Sequence, residues 1–128
     1  TPSEVLAKYD ADVFRYFFMR HIPSYGDGDF SWKRLEEVYN NELANELGNA
    51  VQRTAAMITR YEEGVLGEIP ETGHDTATYT QALRECRFDK SLEEVWERVR
   101  GLNKYIEEQK PWEIAKTKDK VHLRNVLA

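Results

Sequence analysis

Residues 41–57 read "NELANELGNAVQRTAAM". The apolar spacing is helical, yet the stretch carries Asn41, Asn45, Gly48 and Asn49, residue types that each cost roughly 0.5–1 kcal/mol relative to Ala in a helix interior. The flanks argue for a helix all the same. Ser31 is placed to cap one, and Leu35, Val38, Leu43, Leu47, Val51, Ala55 and Ile58 follow it in steps of three, four or five. The spacing predicts helix over about 32–61, kinked near Asn40-Asn41. An unfavourable composition kept inside that helix requires something to offset it.

Working outward, Pro2 and Glu4 mark a short N-terminal helix reaching about Tyr9. "DADVFRYFFMRHI" from Asp10 places Val13, Phe14, Phe17, Phe18 and Ile22 on one apolar face that stops at Pro23. "PSYGDGDF" is a loop, and "EEGVLGEIPETGH" at 62–74 is the longest one. A helix from Asp75 carries Tyr79, Ala82, Leu83 and Cys86, and one after Phe88-Asp89 carries Leu92, Val95, Trp96, Val99, Leu102, Asn103 and Ile106. Lys110-Pro111-Trp112 opens a short helix to about Lys116, and a last apolar-faced segment runs from Asp119. That segment ends with no stop signal, as expected of an excised domain. No alternating β-branched run and no repeat occurs, so the predicted class is all-α, a single helix bundle of 128 residues.

Composition narrows the function classes. No apolar run is long enough to cross a membrane and no signal peptide is visible, so no membrane partner is expected. Cys86 is the single cysteine, which excludes an internal disulfide and a cysteine-pair zinc site and fits the cytoplasm. The net charge of −5 is uneven: residues 1–97 hold 10 basic and 19 acidic side chains, residues 98–128 hold 8 and 4. Bulk attraction of a polyanion is confined to the C-terminal quarter.

Catalytic signatures are missing. There is no Gly-rich phosphate loop, nucleophile elbow, His-Glu-x-x-His or Cys/His ligand set, so neither a catalytic residue nor a metal site is assigned. His21, His74 and His122 fall in three elements with no carboxylate at useful spacing, and each reads as an ordinary surface or boundary histidine. The adjacent pairs Glu62-Glu63 and Glu93-Glu94 diverge on a helix and form no acid/base dyad. What remains is recognition. Asn49 and Arg53, four apart, project from one face one turn from each other. Asn offers donor and acceptor together and Arg a fork of donors, the chemistry suited to base edges, although polar residues at this spacing also occur on ordinary solvated helices. Trp112 opens its helix directly after Pro111. It reads either as a stacking platform at a bundle end or as a ring that plugs the core, as Trp96 does by its spacing.

The blocks "DADVFRYFFMR" (10–20), "YGDGDFSW" (25–32), "NELANELGNAVQRTAAMI" (41–58), "RFDKSLEEVW" (87–96) and "LNKYIEEQKPWEIAK" (102–116) resemble, in order and over nearly the whole chain, the C-terminal region of methionyl-tRNA synthetase. Leu47-Gly48-Asn49-x-x-x-Arg53 with the later Lys110-Pro111-Trp112 is the specific part, whereas Asp12-Val13-Phe14-Arg15 resembles an element shared by other class I synthetases.

The resemblance implies an anticodon-binding helix bundle over 25–128, with 1–24 the end of a stem-contact region. By analogy Asn49 and Arg53 hydrogen-bond the bases of a CAU anticodon and Trp112 stacks on one of them, with Asn45, Lys110 and Lys116 as supporting RNA contacts. The implied partners are the anticodon loop of tRNA(Met) and the chain's own catalytic domain. ATP with Mg and methionine would act there, because the family's His-Ile-Gly-His and Lys-Met-Ser-Lys-Ser signatures and zinc insert are absent here, leaving this chain inactive by itself and without a cofactor. Base recognition and close packing at Gly48 would then offset the cost within 41–57. The rivals are another class I specificity and a helical protein-interaction module, in which Trp112 would be buried far from Asn49 and Arg53.

Overall fold

The structure, a computed structural model, describes residues 1–69, 73 and 75–128. Among these residues every regular element is helical: α1 (Pro2–Leu6), α2 (Ala11–His21), α3 (Trp32–Val38), a π-helix (Tyr39–Gly48), α4 (Asn49–Tyr61), α5 (Ala77–Arg84), α6 (Phe88–Gln109), α7 (Pro111–Ile114), a 3₁₀ turn (Ala115–Thr117) and α8 (Lys120–Leu127). The all-α class read from the sequence is therefore the observed one. The chain divides into two compact units, Thr1–Leu43 with Asp75–Arg98, and Ala44–His74 with Val99–Ala128.

In the first unit, Asp10 caps α2 through the Asp12 N–H and Ser31 caps α3 through the Arg34 N–H. These caps satisfy orphan donors at the helix starts. The apolar face of α2 is used as its spacing requires: Phe17 is fully buried with Val5, Leu35 and Val38, and Tyr9, Val13 and Phe14 pack around them. Trp96 is buried too, its ring 5.9 Å from that of Tyr16 in an edge contact.

In the second unit α8 packs against α4 and α7, and Ala50, Ile106, Pro111, Leu123 and Leu127 are buried. Arg124 of α8 ties back to the end of α4, its Nε–H donating to Glu62, a carboxylate only 8% exposed, at 2.9 Å. Gly67 lets the loop approach that arginine, since a Cβ there would come within 3.0 Å of the Arg124 Cδ.

The long helix expected over 32–61 is not α-helical throughout. Its centre, Tyr39–Gly48, is π-wound, a rare geometry that concentrates at functional sites. Asn40, Asn41, Asn45 and Gly48 all lie in that segment, so the α-helix penalty of these residues applies only at Asn49, where regular winding resumes. The carbonyl of Glu46 is met by the side-chain amide of Asn103 at 3.4 Å, which accounts for a polar residue on the otherwise apolar face of α6.

Gly48 is exposed and has ordinary helical angles, so close packing is not what selects glycine there. Leu47, Val51 and Ala55 are exposed as well and line an apolar groove with Val99 and Leu102, rather than forming core as their spacing suggests. α1 ends at Leu6, short of Tyr9, and α5 at Arg84, with Cys86 beyond it at φ 55°. His74 and positions 70–72 of the predicted loop lie outside the described residues.

Candidate nucleic-acid interface

Three features of local sequence shape the end of the second unit. α6 closes on Lys110, whose N–H reaches the Ile106 carbonyl at 3.0 Å and whose φ of 48° is left-handed. A non-glycine residue in that region costs on the order of 1–3 kcal/mol. The turn it makes drops Pro111 into the core, where its fixed φ opens α7. Trp112 follows in the first helical turn and is half-buried, intermediate between the platform and the plug that its sequence leaves open.

Arg53 meets that ring. Its Cζ lies 5.8 Å from the Trp112 ring centroid, a cation–π distance. Its Nη2 donates to Oε1 of Glu107 at 2.6 Å. The guanidinium thus touches both a carboxylate and an indole, and a third of the arginine side chain stays open. A guanidinium has five N–H donors, and the bond to Glu107 leaves most of them for a ligand. Both partners of the ion pair are exposed enough for it to contribute at most about 1 kcal/mol to stability, so its chief effect is to fix direction. Sequence reasoning missed Glu107. It stands 54 residues from Arg53, and only the fold brings the two together.

The remaining candidates are placed as follows. Asn49 is exposed, one turn before Arg53 on regular α-helix. Asn45 is exposed on the π-helix, and Lys110 is exposed at the strained turn. Lys116 is exposed on the 3₁₀ turn and bonds Glu113 at 2.8 Å. Among the described residues no group of three or more His, Cys, Asp or Glu side chains is placed to hold a metal ion, and no helix is long and apolar enough to cross a membrane.

A second polar cluster, in the first unit, corrects the reading of His21. Its Nε2 lies 3.2 Å from Oε2 of Glu42, a carboxylate 21 residues away. Tyr16 donates its hydroxyl proton to the same oxygen, and Arg20 reaches both Glu42, at 3.8 Å, and Glu93. Burial first, then the bond to Glu42, raises the Tyr16 phenol well above the usual tyrosine range. Burial works against the Arg20 charge, but the hydrogen bond and charge of Glu93, with Glu42, outweigh it and raise its pKa. The cluster is closed in on itself and offers little to a ligand.

Comparison with known proteins agrees with the family read from the sequence. Residues 1–55 match the family described as tRNA synthetases class I (M). A methionine–tRNA ligase of Caldanaerobacter subterraneus subsp. tengcongensis is 37% identical over 93% of this chain and 20% of its own length, and that of Bacillus subtilis is 33% identical over 98% and 21%. The chain is homologous to a part of methionyl-tRNA synthetase. Among solved structures, apo methionyl-tRNA synthetase of Mycobacterium tuberculosis superposes with a TM-score of 0.83 at 27% identity, covering 99% of this chain and 28% of that one. The same enzyme in complex with methionyl-adenylate gives a TM-score of 0.79 at 25% identity, covering 99% and 27%. The chain spans about a fifth of the length of the curated methionyl-tRNA synthetases it matches.

Proposed function

We propose that this chain is the anticodon-recognition part of a methionine–tRNA ligase and that it reads CAU through Asn49, Arg53 and Trp112. The observation that carries the reading is the meeting of Arg53 with Trp112, 5.8 Å apart, with Glu107 hydrogen-bonded to the same guanidinium. Proteins read RNA sequence chiefly on unpaired loop bases, stacking them on aromatic or guanidinium planes and bonding their edges. An arginine prealigned beside an indole supplies both contacts within one patch. Asn49 adds a donor and an acceptor from the same helix face, and Asn45, Lys110 and Lys116 serve as peripheral RNA contacts. The rival interaction module predicts Trp112 remote from Arg53, which is not the arrangement present.

In the whole enzyme, adenylation of methionine with ATP and Mg, and transfer to the tRNA 3′ end, belong to a catalytic domain outside this chain. Residues 1–24 are assigned to the end of the stem-contact region and 25–128 to the anticodon-binding bundle, and the enzyme works in the cytoplasm on tRNA(Met). The fragment by itself is catalytically inactive. Its acidic balance makes its RNA affinity weak, because phosphate contacts normally supply much of the binding energy.

The test is titration of the chain with two anticodon stem-loops, one carrying CAU and one with its first base changed. Tighter binding of CAU supports the reading. Equal affinity for the two loops contradicts it.

A further inference from the structure

The second unit distributes its cations unevenly. Arg53, Lys104, Lys116 and Arg124 each have a carboxylate within ion-pair distance. Arg60, Lys110, Lys118 and Lys120 have none among the described residues, and three of these, Arg60, Lys118 and Lys120, line one cavity of about 400 Å³ together with Tyr61 and Leu123. Unpaired cations repel one another, so gathering three around one hollow is unfavourable unless an anion enters it.

Two backbone features hold the group in place. Lys118 takes a left-handed φ of 61°, and the Lys120 N–H returns to the Lys118 carbonyl at 3.0 Å, which packs both lysines into one tight turn. Arg60 lies with its Cζ 5.6 Å from the ring centroid of its neighbour Tyr61. The one carboxylate on the cavity wall, Asp119, is engaged in capping α8, accepting the His122 N–H at 3.0 Å.

The geometry points to a second RNA subsite, a phosphate cradle of Arg60, Lys118 and Lys120 that grips the backbone of the strand whose bases Asn49 and Arg53 read. The inference rests on the anticodon reading proposed above. Its register follows from α4, which is regular from Asn49 to Tyr61. At 3.6 residues per turn Asn49, Arg53 and Arg60 fall within about 40° of one another around the helix axis, on a single stripe. Arg60 stands about 10 Å beyond Arg53 along that stripe, a span a strand covers in about three nucleotides at its stacked rise. Base contacts at one end and phosphate contacts at the other divide the labour, the first specifying and the second positioning.

The experiment titrates the CAU stem-loop and its first-base variant at several salt concentrations with the unaltered chain, with Arg60→Lys, and with the combined Arg60→Gln, Lys118→Gln and Lys120→Gln variant. The combined variant is expected to bind both loops roughly tenfold more weakly at low salt. Its CAU preference should be unchanged, and its salt slope should be shallower by about 0.7 for each phosphate it no longer neutralises. Arg60→Lys, which keeps the charge, should retain most of the affinity. Unchanged affinity and slope in the combined variant, with CAU still preferred by the unaltered chain, would overturn the cradle and leave the anticodon reading standing. Loss of CAU preference in the combined variant would also overturn it, since these residues would then touch bases. If the unaltered chain prefers neither loop but the combined variant still loses affinity, the cradle stands and the base reading falls. No binding of either loop at any salt overturns both. Should circular dichroism show the combined variant unfolded, Arg60→Gln alone, at an exposed position, carries the same comparison with a smaller change.

Discussion

The two units use the same residue types to opposite ends. In the first, Tyr16, Arg20, His21, Glu42 and Glu93 close on one another, and the Arg20, His21 and Glu42 side chains are mostly buried. In the second, Arg53 is aligned by Glu107 yet left open, and Arg60, Lys118 and Lys120 gather around a hollow whose one carboxylate, Asp119, caps α8 and forms an ion pair with none of them. Buried ion pairs are costly to break because one partner is left stranded. Exposed cations cost little to remove from the fold and a good deal to remove from a polyanion site. The contrast separates side chains that hold the fold from side chains that meet a ligand, and each side of it makes different predictions.

The largest expected effect lies in the closed cluster. Arg20→Ala removes the cation shared by Glu42 and Glu93, leaving Glu42 only its contacts with Tyr16 and His21, and should lower stability by about 3 kcal/mol, read as a drop in urea midpoint. A change within about 0.5 kcal/mol would mean that the cluster is as solvated as a surface pair. Next is the open patch, where Arg53→Gln should cost roughly 1–3 kcal/mol of discrimination between CAU and a first-base variant while leaving the urea midpoint nearly where it was. Equal weakening for every loop would make Arg53 a phosphate contact.

The Tyr16 phenol sharpens the comparison through pH. Its pKa is raised in the folded protein, so as pH climbs past about 10 the unfolded chain loses this proton before the native one does. The contribution is fully present below the unfolded pKa and is lost as pH rises above it. Stability of the unaltered chain should therefore fall more steeply in alkaline urea melts than that of Tyr16→Phe. The smallest effect is expected at Lys110, where glycine would relieve the left-handed turn. Lys110→Gly should raise stability by up to about 1 kcal/mol and weaken every stem-loop alike.

Much of this is legible in the sequence. The helix class, the Ser31 cap and the opening of α7 at Pro111 follow from local signals, because apolar spacing, hydroxyl caps and proline act within a few residues. That Arg53 and Trp112 serve one site is implied only by the family resemblance, and the contact between the guanidinium and the ring is seen only in the structure. The π-helix leaves a trace, since the step from Val38 to Leu43 is five residues where α-winding gives three or four, and that step reads as a kink. Long-range partners leave none. Glu107 beneath Arg53 and Glu42 beside His21 are ordinary helical glutamates until the chain folds. Exposure of Leu47 and Val51 is hidden for the same reason: periodicity shows that a face is apolar, not that anything covers it.

The most direct test of the account is indole fluorescence during titration with the CAU stem-loop, in the unaltered chain and in Trp112→Phe. Of the three tryptophans, Trp96 is buried and Trp32, which is exposed, belongs to the first unit; stacking of a base on Trp112 should quench emission, and the part lost in Trp112→Phe reports on that ring. The account predicts quenching that is stronger with CAU than with the first-base variant and that disappears in Trp112→Phe, which still binds. Quenching that persists undiminished in Trp112→Phe, or that is equal for both loops, would contradict it.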